Sequence, residues 1–329
     1  MVLDMHCDTI SEILSEKRKG NKISLEQNNL HLDLLRMKQC GYLLQNFALW
    51  SDFEKCENPW NELFSLYGCY CEEIAKNTQL ITPIARFSDI EKNFKSGKMS
   101  AMLTVEDAGV LEGKTERLKT LYNMGVRMLT LTWNYPNEIG FPGTNYLNKN
   151  TGDYTAHTAC GLTPTGRRVV EEMERLGIII DVSHLSDAGF YDISECTKKP
   201  FVASHSNSRT VCNHPRNLTD DMLKILADRG GCVGLNFYPP FLSHNPKCET
   251  RDNMLALINH AKHIKNVAGI DILSLGSDFD GFNATSNIMG VQSMPMLWET
   301  FHNQGFTSNE LDKVFFGNAL RVYKDVLKP

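Results

Sequence analysis

Residues 162–184 read "LTPTGRRVVEEMERLGIIIDVSH" and place a helix, a stop and a strand in direct succession. Thr163 stands where a side-chain oxygen caps a helix, Pro164 at the first helical position, where a missing N–H costs nothing, and Gly177 at the stop. The run that follows, "GIIIDVSH" (177–184), is apolar almost throughout, the pattern of a strand covered on both faces. It finishes on two polar residues, Ser183 and His184.

The same unit recurs on both sides. "LTDDMLKILADRGG" (218–231) repeats the helix, with Thr219 as cap, acids in the first turn and Gly230 after the last. "GKTERLKTLYNMG" (113–125) stops likewise at Gly125. Eight short apolar runs bounded by turn signals are predicted as strands: 2–8, 42–50, 100–106, 126–134, 177–184, 200–205, 232–238 and 272–278. Strands alternating with helices predict a parallel sheet with right-handed crossovers, and eight of them suggest closure into a (β/α)8 TIM-type barrel, one catalytic domain over 1–329. The competing open, doubly wound sheet lacks its Gly-rich phosphate turn after the first strand. "EGKT" (112–115) is no P-loop, because Ala108 stands where that spacing needs its first glycine.

The bulk numbers narrow the partners. With 329 residues, 42% hydrophobic and 22% charged, the composition is that of a globular protein large enough for one such barrel. A net charge of -5 gives no reason to expect nucleic acid or an anionic membrane. No apolar run approaches the ~20 residues of a membrane span, and the start shows no secretion signal, so a cytoplasmic protein is expected. The ten cysteines form no C-x-x-C pair; Cys69 and Cys71 read as helix, and reduced thiols without a function are the expectation.

Barrel enzymes carry their chemistry at the C-terminal ends of the strands. Here those ends bear His6 and Asp8, Glu106, His184, His205 and Asp278. In an extended chain His6 and Asp8 point to one side while Cys7 points to the other. Alone, that pair serves a metal or an ordinary His–Asp hydrogen bond equally well. Two further runs ending Ser-His, "DVSH" and "VASH", favour the metal. Five ligands, His6, Asp8, Glu106, His184 and His205, exceed the three or four that one zinc takes, and suit two ions if Glu106 bridges. Two ions ~3.5–4 Å apart can activate a shared water, which supplies a nucleophile where no G-x-S-x-G elbow exists.

With these residues in place, the sequence resembles the membrane dipeptidase (renal dipeptidase) family of zinc peptidases, in the form of its cytoplasmic bacterial members. The resemblance rests on "HCD" (6–8), "TVEDA" (104–108), "GVRMLTLTWN" (125–134), residues 161–184, "FVASHSNSRTVCNHPRNLTDDML" (201–223), "GLNFY" (234–238) and "GSDFDG" (276–281). It implies a dipeptidase with two zinc ions per subunit. His6 and Asp8 would bind the first ion, Glu106 would bridge, and His184 and His205 would bind the second. It further implies that Arg216 pairs the substrate's terminal carboxylate, a role suited to a guanidinium fork. Asp278 would shuttle a proton to the leaving amine, and Tyr238 would line the pocket. Asp280, on the opposite face if the strand persists, is the weaker candidate.

One position departs from the pattern. Mammalian members have a histidine after "LTLT" that is thought to steady the oxyanion, whereas this chain has Trp133 and Asn134. Asn134 is then the candidate donor to the substrate, beside an equally open structural role. The chain end, "VYKDVLKP", carries no lipid-anchor signal, and family members tend to be dimers, so a free homodimer is expected. The function implied is hydrolysis of dipeptides, including those with a C-terminal D-residue, by a metal-bridging hydroxide. Two alternatives stand beside it: a metal-dependent amidohydrolase acting on an acylated or cyclic small molecule, and a zinc- or peptide-binding scaffold that has lost catalysis. His260 and His263 are expected to face solvent; His157 and His244 are placed in loops, and the long segment 135–161 is a candidate lid.

Overall fold

The computed structural model describes residues 1–147, 154–243, 253–284 and 286–328. Its centre is a closed barrel of eight parallel strands: β1 (Val2–Asp4), β2 (Tyr42–Leu49), β3 (Met99–Glu106), β4 (Val126–Thr130), β5 (Ile179–Asp181), β6 (Val202–Ala203), β7 (Cys232–Leu235) and β8 (Leu273–Leu275). Each strand pairs with the next, and Asp4 opposite Leu275 closes the ring between β1 and β8. All eight expected runs contain a strand. Most are shorter than the run, because the chain leaves the ladder where its polar residues begin.

The helix that opened the reading spans Pro164–Leu176. Thr163 Oγ1 accepts the Gly166 N–H at 3.0 Å, and Gly177 takes φ 82°, a left-handed turn that costs glycine nothing. Thr219 caps Asp220–Asp228 in the same way. Cys69 and Cys71 lie within Pro59–Lys76, as expected.

Two small elements were not foreseen. A short strand, Ile81–Pro83, pairs with the start of β3, along the edge that β4 has not yet reached. Within the segment taken as a candidate lid, Thr144–Leu147 and Tyr154–Ala156 form an antiparallel hairpin. Residues 148–153 of that segment and His244 lie outside the described residues.

Inside the barrel, Leu3, Met5, Leu44, Met102, Met128, Ile179, Val202 and Cys232 fill the space. The C-terminal helix Asn318–Val326 seals the end opposite the polar residues, and its buried Tyr323 hydroxyl receives a hydrogen bond from Asn46 Nδ2 at 2.8 Å.

The histidines of the helix Asn253–Ala268 correct the expectation of solvent exposure. His260 is fully buried, its Nδ1 accepting the Ser208 N–H at 3.1 Å and its Nε2 donating to the Leu242 carbonyl at 3.1 Å. His263 is half-buried against Asp220, at 2.8 Å. His157 is also buried, edge-on to Phe141 with ring centres 5.4 Å apart.

Candidate metal centre

The six strand-end side chains meet at one mouth of the barrel. Cys7 bridges to Phe279 and keeps the chain extended past β1, so its neighbours fall on one side. His6 Nε2 comes within 3.4 Å of Asp8 Oδ2 and 3.9 Å of Asp278 Oδ1. Glu106, the last residue of β3, divides its two oxygens. Oε2 faces His6 Nε2 at 3.6 Å, while Oε1 faces His184 Nε2 at 2.9 Å and His205 Nε2 at 3.4 Å. The two Nε2 atoms of His184 and His205 are 3.1 Å apart.

Backbone turns aim two of these groups. His184 and Asp278 take left-handed φ values of 68° and 63°, which non-glycine residues adopt at a cost and which recur at functional sites. That conformation also overturns the alternation assumed for Asp280. The strand has ended, and Asp280 instead accepts from Thr9 Oγ1 at 2.5 Å and from the His31 N–H at 2.7 Å, tying two loops together.

The donor set fits divalent cations. His6 Nε2 and Asp8 Oδ1 are buried with no hydrogen-bond partner, an arrangement that costs ~1–3 kcal/mol per group unless something fills it. Nδ1 of His184 faces Asn134 Oδ1 at 3.1 Å, and Nδ1 of His205 faces Ser204 Oγ at 2.7 Å, so both rings turn Nε2 toward Glu106. A β-carbon on Gly281 would come within 2.3 Å of Asp8 Oδ2 and 2.4 Å of Asp278 Oδ1; only glycine leaves that cradle open. His6, Asp8 and Asp278 form one cluster of ligand atoms, and His6, Glu106 and His205 another.

Proton affinities follow the same division. Burial presses the His6 imidazole down, but the Glu106 and Asp8 carboxylates outweigh it and hold its pKa well above the ordinary value. Burial lifts Asp8 to about 7. It lowers His184 to about 4, helped by the Arg216 charge, and takes His205 well below its usual range. For Glu106 burial acts upward, yet the charge on His6 and the close contacts with the imidazoles win and keep it ionised. One side of the centre thus demands positive charge, and the other offers two neutral imidazoles.

Above the centre lies a cavity of about 340 Å³. Trp50 and Trp133, with ring centres 5.0 Å apart, line it on one side, and Tyr238, Phe241 and Phe282 line it on another. Arg216 reaches into it from a buried position, its Nε without a partner, its guanidinium 5.5 Å from the Phe241 ring centre and its pKa lowered by burial to about 10. Asp278 is raised by burial to about 6, with Oδ2 accepting from Asn236 Nδ2 at 3.0 Å. Asn134 and Tyr238 both line the cavity. His157 does not, and neither does Asp280.

Sequence reasoning missed Asn236, which steadies Asp278, and Gly281, which leaves room beside it. The signal for Asn236 was a lone amide inside the apolar run 232–238. It also missed Trp50 and the buried carboxylate Asp181.

The model of the membrane dipeptidase family, peptidase family M19, matches residues 1–328. An uncharacterized dipeptidase of Schizosaccharomyces pombe is 30% identical over 325 residues, 92% of this chain and 75% of that one. Among solved structures, dipeptidase AC, a metallopeptidase of family M19, superposes with a TM-score of 0.89 at 26% identity, covering 99% of this chain and 98% of the other. A metallopeptidase from Rhodobacter sphaeroides, bound to a phosphinate mimic of the dipeptide L-Ala-D-Ala, gives 0.88 at 25% identity, covering 99% of each chain.

Proposed function

Because the chain belongs to the membrane dipeptidase family, peptidase family M19, and is therefore a metal-dependent dipeptidase, we propose that it hydrolyses free dipeptides with two zinc ions. His6 and Asp8 would hold one ion, His184 and His205 the other, and Glu106 would serve both. The observation that carries this reading is the division of Glu106, one oxygen toward His6 and the other toward His184 and His205. When bound, the pair of cations supplies a water of lowered pKa and polarises the scissile carbonyl.

The remaining work falls to the chain's own side chains. Arg216, desolvated and with unspent donors, pairs the C-terminal carboxylate and sets where the peptide ends. Asp278, its carboxyl raised by burial to about 6, would take a proton from the attacking water and pass it from Oδ1 to the leaving nitrogen while Asn236 fixes Oδ2. Asn134 has its oxygen engaged by His184, which leaves Nδ2 as a donor to the substrate's carbonyl oxygen. The aromatic faces of Trp50, Trp133 and Tyr238 exclude water from the reacting bond. Acceptance of a C-terminal D-residue is supported by the ligand of the Rhodobacter relative. A cytoplasmic address fits the nine cysteines among the described residues, none in a disulfide. Nothing in the site favours a cyclic or acylated substrate, or a lapsed scaffold.

The test is a panel of L-Ala-L-Ala, L-Ala-D-Ala, a tripeptide and an N-acetyl amino acid with the zinc-loaded protein. Dipeptide cleavage alone supports the reading, and preference for the acetylated compound defeats it. Asp278→Ala should retain both zinc ions and lose ~10²–10⁴-fold in kcat. Normal turnover by that variant would remove Asp278 from the mechanism.

A further inference from the structure

Behind the second histidine pair lies a buried carboxylate with no part in the proposal above. Asp181 closes β5, fully buried at the top of the barrel. Its Oδ1 accepts the backbone N–H of Ser183 at 3.0 Å and of Ser204 at 2.8 Å. Its Oδ2 accepts the hydroxyls of Thr130 and Ser204, each at 2.6 Å. Ser204 Oγ in turn lies 2.7 Å from His205 Nδ1.

These contacts assign the protons by geometry. With two backbone N–H groups and two hydroxyls converging on it, the Asp181 carboxylate serves as acceptor throughout, so the Ser204 hydroxyl spends its one hydrogen on Asp181. Ser204 Oγ must then accept from His205, which puts the ring proton on Nδ1 and a lone pair on Nε2, facing Glu106. A carboxylate behind a ligating histidine, directly or through one group, fixes the ring's tautomer and raises its basicity.

The opposite side of the barrel holds a natural comparison. Asp4, closing β1, accepts the Ser277 N–H at 2.8 Å and its hydroxyl at 2.5 Å, with the His6 N–H at 3.3 Å. The device is the same, a strand-end aspartate clamping the serine of a neighbouring strand. Yet Ser277 Oγ is shared with the Phe279 N–H and the His6 carbonyl, and reaches no imidazole.

We infer that Asp181 and Ser204 are positioning residues, a relay that locks His205 as an Nε2 metal ligand, whereas the matching Asp4–Ser277 pair holds backbone only. The inference rests on the dinuclear reading of the site. Zinc titration of the full-length protein against a chelating dye tests it, with Ser204→Ala set beside Ser277→Ala. Ser204→Ala should bind one of its two zinc ions about 10- to 100-fold more weakly, and Ser277→Ala should bind both as wild type does. A second measurement needs no variant: imidazole 15N–1H spectra of the zinc-loaded wild-type protein should show the His205 proton on Nδ1, protected from exchange. Wild-type zinc binding by Ser204→Ala, equal weakening in both variants, or a His205 Nδ1 proton that exchanges freely would each overturn the relay while leaving the zinc centre standing; a His205 proton on Nε2 would remove His205 from the centre as well. Wild-type protein that takes up no zinc would overturn the centre itself, and the relay with it.

Discussion

Gly281 shows how little space separates the carboxylates of Asp8 and Asp278. It follows the expected proton shuttle by three residues, and the atom it lacks would lie between Asp8 and Asp278. Gly281→Ala should therefore spare the fold and weaken the first zinc, lowering activity by at least tenfold at limiting metal; zinc stoichiometry by atomic absorption, with a thermal melt as control, checks this. The side chains that gather at the mouth were legible because each closes an apolar run, and a strand end in a barrel has one destination. Gly281 was not, since a glycine needed for its missing β-carbon looks in sequence like any turn glycine. Asn236, Asp181 and Ser204 were hidden for another reason. Their value lies in partners from other strands, and spacing along one strand carries no trace of them. Nor does it reveal the left-handed turns at His184 and Asp278, which the local sequence does not demand.

At the scale of elements, helices were read more securely than the ends of strands. Caps and stops are local, so Thr163, Thr219 and Gly177 could be recognised within a few residues of chain. Strand ends depend on neighbours, and the runs at 126–134 and 200–205 leave the ladder early, at Thr130 and Ala203. His260 was misjudged although its helix contained the answer. Leu257, Ala261 and Ile264 are buried, and His260 stands beside them on that face. The consequence is a pH dependence. Burial lowers His260 from 6.5 to about 4, so above pH 6.5 it is neutral in both folded and unfolded chains. As pH falls from 6.5 toward 4 the unfolded chain takes up the proton first, and stability declines by on the order of 1 kcal/mol per unit at most. His260→Gln should be less stable at pH 7 and show a flatter loss between pH 6.5 and 4; urea melts of both proteins across that range measure it.

Over the whole molecule, the number of strands and their parallel order followed from alternation with helices, and closure from the count of eight. The short strand on β3 and the hairpin after β4 escaped notice, being three or four residues long with no periodicity to register. Among the described residues no helix is long and apolar enough to cross a membrane. Three carboxylates, Asp8, Glu106 and Asp278, converge around His6 at the mouth of the barrel, with Asp8 and Glu106 buried. Cations that bind only the folded chain stabilise it by about 4 kcal/mol for each site at a thousandfold excess over Kd. Stripping metal with a chelator should then lower Tm by several degrees, and zinc should restore it in differential scanning calorimetry.

The packed layer of Leu3, Met5, Met102 and Met128 beneath the centre gives the cavity a floor. That floor leaves the mouth of the barrel as the side from which a dipeptide would enter and its two halves would leave. On the role proposed for Arg216, the half that carries the C-terminal carboxylate would be the one this side chain retains.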